Sequence, residues 1–473
     1  MTQPKGHIKD ENFRDSIATI DEEGKRNWIY AQRPKGKYYN ARTLLSAVYL
    51  LLFFSIPFIR IDDVPLFQFD ILERKFIFFS VVFWPQDFFI FGIGMLTFIL
   101  FIVLFTVVYG RIFCGWVCPQ TIFMEMVFRR IEYWIEGDAT HQKLLNKQPN
   151  NINKLSKKAF KHIVFLAIAF LIANTFLAYI IGTDELFKII NEPVSLHKKG
   201  FVSILIFTGV FYWVYSWFRE QVCLIVCPYG RLQGVMLDKN SILIAYDYIR
   251  GEPHSLFKKN ETRTKGDCID CKQCIKVCPV GIDIRNGTQL ECVNCTACIE
   301  ACDTMMEGVG LEKGLIRYDS ENGIANREKL KITPRIMAYT SVLLVLIGVF
   351  IALLATRKDV DATVLRTPGM LFQKQGENQI SNLYNIKIIN KTLKDVPVTL
   401  KIESGKGLIK MVGKDILVKK DSKTESEFFI IIDKKDVKDR KTKLVIGLYS
   451  GSKKIETIKT NFLGPITLKK QTA

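Results

Sequence analysis

The chain has 473 residues, 48% of them hydrophobic with 34 Phe, and its apolar residues gather in runs longer than a soluble core requires, so part of it spans a membrane. The formal net charge of +19 does not make nucleic acid a partner. The lysines and arginines concentrate beside the apolar runs and in the C-terminal third, which fits positive-inside topology plus a basic soluble domain.

Residues 1–43 read as a cytoplasmic N-terminal tail: polar, of mixed charge, without the apolar stretch and small-residue cleavage site of a signal peptide. Its end, RPKGKYYNAR, sets basic residues and the pair Tyr38 and Tyr39 before the first apolar run, as a membrane-interface anchor does. Five spans are expected at about residues 44–61, 88–109, 163–182, 201–218 and 336–355, each near the roughly 20 residues that cross a hydrocarbon core. Four of them fall in the region 44–218 and the fifth in 336–356. Segments 110–162 and 219–335 carry Lys and Arg close to the spans, whereas 60–87 and 183–200 balance theirs with acids. The first pair, with the N-terminus, is therefore assigned to the cytoplasm. The run 76–84 is too short to cross and reads as an outer-face interfacial segment. Asp87, just beyond it, is a solvated acid at a span's end, with contact to a quinone as its sharper alternative.

Two cysteine pairs stand at the inner ends of the second and fourth spans. Cys114 and Cys118 lie in GRIFCGWVCPQTIF, Cys223 and Cys227 in REQVCLIVCPYGRLQ, and each pair is followed by proline. Two spans ending in C-x-x-x-C-P therefore form an internal repeat. If the backbone is helical there, cysteines four apart share a face, and the repeats bring four thiols together at the cytoplasmic membrane surface. Buried cysteines in apolar helices are often only small hydrophobes. Pairs at the same depth in both repeats favour a metal or redox role, and thiolates are soft ligands suited to Cu(I). Met124 and Met126 could add thioether donors, but methionine in an apolar helix more often fills a gap; Met305 and Met306 are read as packing beside the next domain. The histidines His7, His141, His162, His197 and His254 share no helical spacing within a span, so no haem pair is visible, and His162 reads as an interfacial residue.

In the cytoplasmic region 219–335, residues 262–308 hold C-x-x-C-x-x-C-x-x-x-C twice, as Cys268, Cys271, Cys274, Cys278 and Cys292, Cys295, Cys298, Cys302. Three thiolates at intervals of three residues wrap one [4Fe-4S] cube, and the fourth Cys of each run ligates the other cube. Cys268, Cys271, Cys274 and Cys302 are thus expected to hold one cluster, and Cys292, Cys295, Cys298 and Cys278 the second. Pro279 follows the first run, while Asp303 replaces the second proline, which is not a ligand. Zinc is disfavoured because its knuckles present C-x-x-C pairs, and disulfides because the segment is cytoplasmic.

Residues 357–473 contain no cysteine and alternate apolar with polar residues in NLYNIKIIN, VTLKIES, EFFIIID, KLVIGLYS and IKTNFLG. Seven or so short strands suggest an immunoglobulin-like sandwich that binds a partner rather than performing chemistry. Span parity puts it outside, in the periplasm, and long domains translocate largely regardless of charge. The fold class is a multi-domain membrane protein: an α-helical transmembrane bundle, an inserted two-cluster ferredoxin-like domain and a C-terminal all-β sandwich.

The chain resembles, over essentially its whole length, the cytochrome c oxidase accessory proteins called CcoG, FixG or RdxA. The resemblance rests on FWPQDF at 83–88, GRIFCGWVCPQT at 110–121, IEGD ending at Asp138, EQVCLIVCPYGR at 220–231, the ferredoxin block with GIDIRNG between its halves, and GLIRYDSENG at 314–323. Gly230 stands where the family has alanine. The resemblance implies an inner-membrane protein that helps deliver copper to cbb(3)-type oxidases, by reducing Cu(II) to Cu(I). Its partners would then be copper ions, oxidase assembly factors or copper transporters and chaperones, and an electron donor that the sequence does not identify. Two other functions stay open: a quinol-linked membrane polyferredoxin, and a non-catalytic assembly scaffold. The C-terminal sandwich and GLIRYDSENG favour the oxidase-accessory family over the polyferredoxins.

Overall fold

The structure is a computed structural model that describes the chain except residues 1–17, 21–22, 62–63, 72–74, 80, 85–87, 258–264, 328–333, 358, 370, 377, 393, 414–415, 421, 438–440 and 466–473. His7 and Asp87 lie outside the described residues. Two compact units divide the chain, one of residues 1–59 with 91–350 and one of residues 60–90 with 351–473.

Among the described residues, five helices are long and apolar enough to cross a membrane: Lys37–Phe58, Phe89–Tyr109, Ile152–Ile181, Lys198–Phe218 and Ile336–Ala355. The chain is a membrane protein. The first helix starts seven residues before the expected boundary and the third eleven before, because basic and aromatic residues continue the helical turns past the apolar stretch. Lys37, Tyr38 and Tyr39 belong to the first helix and Lys157, Lys158 and Lys161 to the third; exposed lysines such as Lys157 can keep their heads in water, while the buried Lys161 pairs with Glu136 at 3.0 Å. The third span is the most enclosed, with 44% of its apolar window buried against 6% for the last. It packs Phe165 and Ile172 against Phe123, Met124, Phe128 and Tyr215. The outward faces of the spans carry Leu, Ile, Val and Phe in the open, as lipid contact demands.

Residues 76–84 add no sixth span. They lie largely in the strands Lys75–Phe78 and Val81–Phe83, which with Phe67–Asp70 make a small antiparallel sheet around Val64, Ile77 and Val82.

Nine strands among the described residues of the C-terminal region form two antiparallel sheets. One runs Leu408–Val412, Ser422–Asp433, Gln379–Asn390, Val360–Arg366, with Gln373–Gln375 on the far end of the third. The other runs Ile416–Val418, Val396–Ser404, Lys441–Ser450, Lys453–Leu463. Alternate residues point inward, so Ile380, Tyr384, Ile386 and Ile388 meet Phe428, Ile430, Ile432, Ile446 and Leu448 in one core. Tyr384 is fully buried, stacks on Phe428 at 5.5 Å between centroids, and donates its hydroxyl to the Asn461 carbonyl at 3.0 Å. Tyr384→Phe is expected to cost about 1–2 kcal/mol, since it removes one buried hydrogen bond without opening a cavity. A fall of several degrees in the thermal midpoint of the detergent-solubilised chain checks this, and an unchanged midpoint refutes it.

Candidate functional site

The two cysteine runs fold as near copies. Two residues after the first cysteine of each run the backbone turns left-handed, at Asp270 with φ 49° and Asn294 with φ 54°. One residue after the second it does so again, at Lys272 with φ 55° and Thr296 with φ 67°. Asp and Asn tolerate this region better than most residues. Alternating right- and left-handed residues turn successive N–H groups toward one concave side, an arrangement that suits anionic iron-sulfur centres. Helices Gln273–Lys276 and Ala297–Gly308 begin directly after Lys272 and Thr296. Arg285 ties the first loop, donating to Asp270 Oδ1 at 2.6 Å and Asp283 Oδ2 at 2.7 Å.

The cysteines ring two adjoining cavities. Cys268, Cys271, Cys274 and Cys302 line the first, with Tyr246, Arg285, Met305 and Met306 around them. Cys278, Cys292, Cys295 and Cys298 line the second, with Cys274 on the shared wall. Among the described residues no three His, Cys, Asp or Glu side chains close up on a single metal ion. Thiols set around cavities fit an iron-sulfur cube. Burial raises the Cys278 and Cys298 thiols well above their ordinary range, and neighbouring cysteines raise them further. Loading a cluster must therefore expel protons from them. The strand pair Leu243–Tyr246 with Ile316–Asp319 closes the domain, and Ser320 caps the next helix by accepting from Gly323 N at 2.9 Å. That pairing and cap account for GLIRYDSENG.

The membrane-edge pairs also fold as copies, but not as the expected helical face. Cys114 sits in the short helix Ile112–Trp116, and the backbone leaves the helix at Cys118, with ψ 126°. Cys223 sits in a wide π-helical turn, and the backbone leaves it at Cys227, with ψ 111°. The cause is the proline after each pair. Proline disfavours helical geometry in the residue before it yet starts a new helix well, so Pro119 and Pro228 each open one. In both repeats the second cysteine closes a wide turn by donating its N–H five residues back, to Phe113 at 2.9 Å and Val222 at 2.8 Å. Four residues before the first cysteine, both repeats turn left-handed, at Gly110 with φ 54° and at Arg219 with φ 50°.

All four thiols come within mutual electrostatic reach. Burial pushes Cys114 up to about 12, with Cys118 and Cys227 adding to the rise. Burial also raises Cys223, helped by Cys118, Cys114 and Cys227. Cys118 is raised by burial and held back by the N–H groups of Thr121 and Gln120. Cys114 donates to Gln233 Oε1 at 3.2 Å. Met124 and Cys223 line one small cavity together with Glu125, Glu220 and Gln120, while Met126 is simply buried. His162 accepts or donates one hydrogen bond with Tyr212 at 2.9 Å, as an interfacial residue can.

Sequence reasoning missed the residues that join the two sites. Arg42, 5% exposed, donates Nε to the Gly115 carbonyl at 3.0 Å and Nη1 to the Cys295 carbonyl at 2.9 Å. Arg111 bridges the carbonyls of Leu290 and Gly230. Glu300 accepts from the N–H groups of Tyr38 and Tyr39 and so caps the first span from the cluster domain. Placing residue 42 in the polar tail hid the signal that would have found it, an arginine inside a spanning helix.

Three family models match the chain: "4Fe-4S binding domain" over residues 91–138, "4Fe-4S dicluster domain" over 218–321, and the immunoglobulin-like fold at the C-terminus of FixG over 350–465. Among curated relatives, the nitrogen fixation protein FixG of Rhizobium meliloti is 31% identical over 80% of this chain and 80% of its own length. Proteins RdxA and RdxB of Cereibacter sphaeroides are 33% and 32% identical, over 81% and 78% of this chain and 84% and 80% of theirs.

Proposed function

Because this chain belongs to the family of FixG and RdxA and matches two 4Fe-4S family models, we propose that it passes single electrons to Cu(II) held at Cys114, Cys118, Cys223 and Cys227. The Cu(I) formed would serve assembly of a haem-copper oxidase in the cytoplasmic membrane. The clusters, when bound, supply low-potential electrons one at a time. Cys268, Cys271, Cys274 and Cys302 hold one, and Cys278, Cys292, Cys295 and Cys298 the other, as the two cavity linings support. Both sites face the cytoplasm in this reading and the sandwich faces outward.

The observation that carries the reading is the convergence of four soft thiols, two from each repeat, beside the second cluster cavity. Thiolates favour Cu(I) over Cu(II), so the site holds the product better than the substrate and pulls the reduction forward. The thiols must close up and lose protons to bind the ion, which makes binding pH-dependent.

The test is anaerobic Cu(II) reduction by dithionite-reduced protein, read with a Cu(I) chelator. Cys114→Ser with Cys118→Ser is expected to abolish Cu(I) formation and copper binding while both cluster EPR signals persist. Reduction at the wild-type rate in that variant overturns the proposal. A second reading is favoured by the 4Fe-4S binding model that spans the first pair: the four thiols hold a third iron-sulfur cluster, and the protein is an electron carrier. Iron content separates the two, at about eight per chain for two cubes against about twelve for three.

A further inference from the structure

We propose that Gly115 and Arg42 dock the cavity of Cys278, Cys292, Cys295 and Cys298 onto the membrane-edge thiols, making it the electron exit, and that electrons are taken in at the cavity of Cys268, Cys271, Cys274 and Cys302. This rests on the reading that both cavities hold clusters and that the thiol site receives their electrons.

Three contacts on one side, and their absence on the other, carry it. Gly115 lies between Cys114 and Cys118, and a Cβ there would fall 2.8 Å from the Asn294 carbonyl oxygen and closer still to that of Val293. Backbone therefore touches backbone, and glycine is required for space, not for conformation. Arg42 crosses the same seam with its two hydrogen bonds to the Gly115 and Cys295 carbonyls. A buried guanidinium in a spanning helix is costly unless its donors are satisfied, and these are two of its partners. Cys114 packs against the buried cluster formed by Val277, Val293, Cys295 and Ala297. Pro279, Val280 and Val293 line both the second cluster cavity and the cavity at Cys223, so one layer of side chains separates them.

Among the described residues the first cavity has no such neighbour. Its lining, which includes Tyr246, Ile269, Lys272, Arg285, Met305 and Leu315, shares no residue with the cavity at Cys223, whereas the second cavity shares three. Cys274 borders both cavities, which places them in series. Dithionite, the donor in the test, splits at its S–S bond into two SO2 radical anions; each loses one electron and is hydrated to bisulfite with release of a proton, and each electron reduces one Cu(II) to Cu(I).

The experiment is an anaerobic redox titration of the full chain followed by EPR. Arg42→Gln removes a positive charge beside the Cys295 backbone. One cluster signal is expected to become at least tenfold harder to reduce, a shift of about 59 mV for a one-electron couple, while the other stays in place. The shifted signal must be the one that Cys298→Ser deletes. Arg42→Lys, which keeps the charge without the two-point contact, must shift it less. Should Arg42→Gln not accumulate, the same titration on Gly115→Ala decides, since it too must move only the Cys298-dependent signal. A shift confined to the signal that Cys271→Ser deletes, or equal shifts in both, overturns the proposal. If wild type reduces no Cu(II) while the Cys298-dependent signal still shifts, the copper reading fails and the docking stands.

Discussion

Arg219→Ala is expected to destabilise the chain by about 3–5 kcal/mol, the range seen when one partner of a buried ion pair is removed. Arg219 is 2% exposed and makes a two-point contact with Glu132, Nη1 to Oε1 at 2.8 Å and Nη2 to Oε2 at 2.9 Å. Its guanidinium also lies 4.8 Å from the centre of the Trp28 ring. Burial alone would raise the Glu132 carboxyl, but Arg219, with Lys161 and Arg129, holds it below the ordinary carboxylate range. A depressed carboxylate adds stability above its unfolded pKa of about 4.3, and that stability disappears as pH falls through the folded value. In the variant Glu132 loses its main counter-charge and is buried at a cost at neutral pH, a cost that protonation relieves. The gap between wild type and variant should therefore narrow from pH 7 toward pH 4. Arg219 also holds φ 50° and ψ −123°, a region nearly reserved for glycine. Arg219→Gly should thus be less harmful than Arg219→Ala by about 1 kcal/mol, because it loses the same ion pair but relieves the strain. Thermal midpoints of the three proteins in detergent at two pH values measure all of this. Equal midpoints for wild type and Arg219→Ala would make the ion pair dispensable.

The strain at Arg219 marks a place where the sequence was legible only in part. The repeat of two spans ending in C-x-x-x-C-P could be read directly from cysteine and proline spacing. The shared left-handed turn could not, because Gly110 announces it and Arg219 conceals it. An ion pair to Glu132, 87 positions earlier, holds Arg219 there, and no local pattern reports such a partner. The helical face expected for the thiols gave way for the opposite reason. Proline stood in plain view after each pair, and its effect on the preceding residue outweighs the i, i+4 spacing.

The ferredoxin block was legible almost entirely, since cluster ligation fixes cysteine spacing independently of tertiary context. The C-terminal strands were legible from period-two alternation. What the sequence did not offer was the seam between block and bundle. Gly115, Arg42 and Glu300 act through backbone groups brought from 73 to 262 positions away. Gly115 and Glu300 look unremarkable where they stand in the chain, and Arg42 does so once it is assigned to the polar tail.

Cys278→Ser is expected to delete the same cluster signal as Cys292→Ser, and Cys302→Ser the same signal as Cys271→Ser. Each change should take about four irons with it, half the complement of two cubes. Sequence proximity predicts the reverse, because Cys278 ends the run that begins at Cys268. The structure turns the chain away after Cys274, in helix Gln273–Lys276, and sends Cys278 into the cavity lined by Cys292, Cys295 and Cys298. Cys302, one turn of helix beyond Cys298, returns to the cavity of Cys268, Cys271 and Cys274. Without a cluster Cys278 would be a buried protonated thiol, with the N–H groups of Val280 and Ile282 directed at its sulfur. Those donors stabilise charge that a free thiol does not carry, which suits a thiolate held by iron. Serine keeps the shape but binds iron poorly by comparison, since the cluster prefers soft thiolate donors. Iron analysis and EPR of the four single variants, prepared anaerobically, give two pairs of matching spectra if ligation crosses between the runs. Matching of Cys278→Ser with Cys271→Ser would mean that each run closes its own cube, and the shared wall at Cys274 would then have no bearing on ligation.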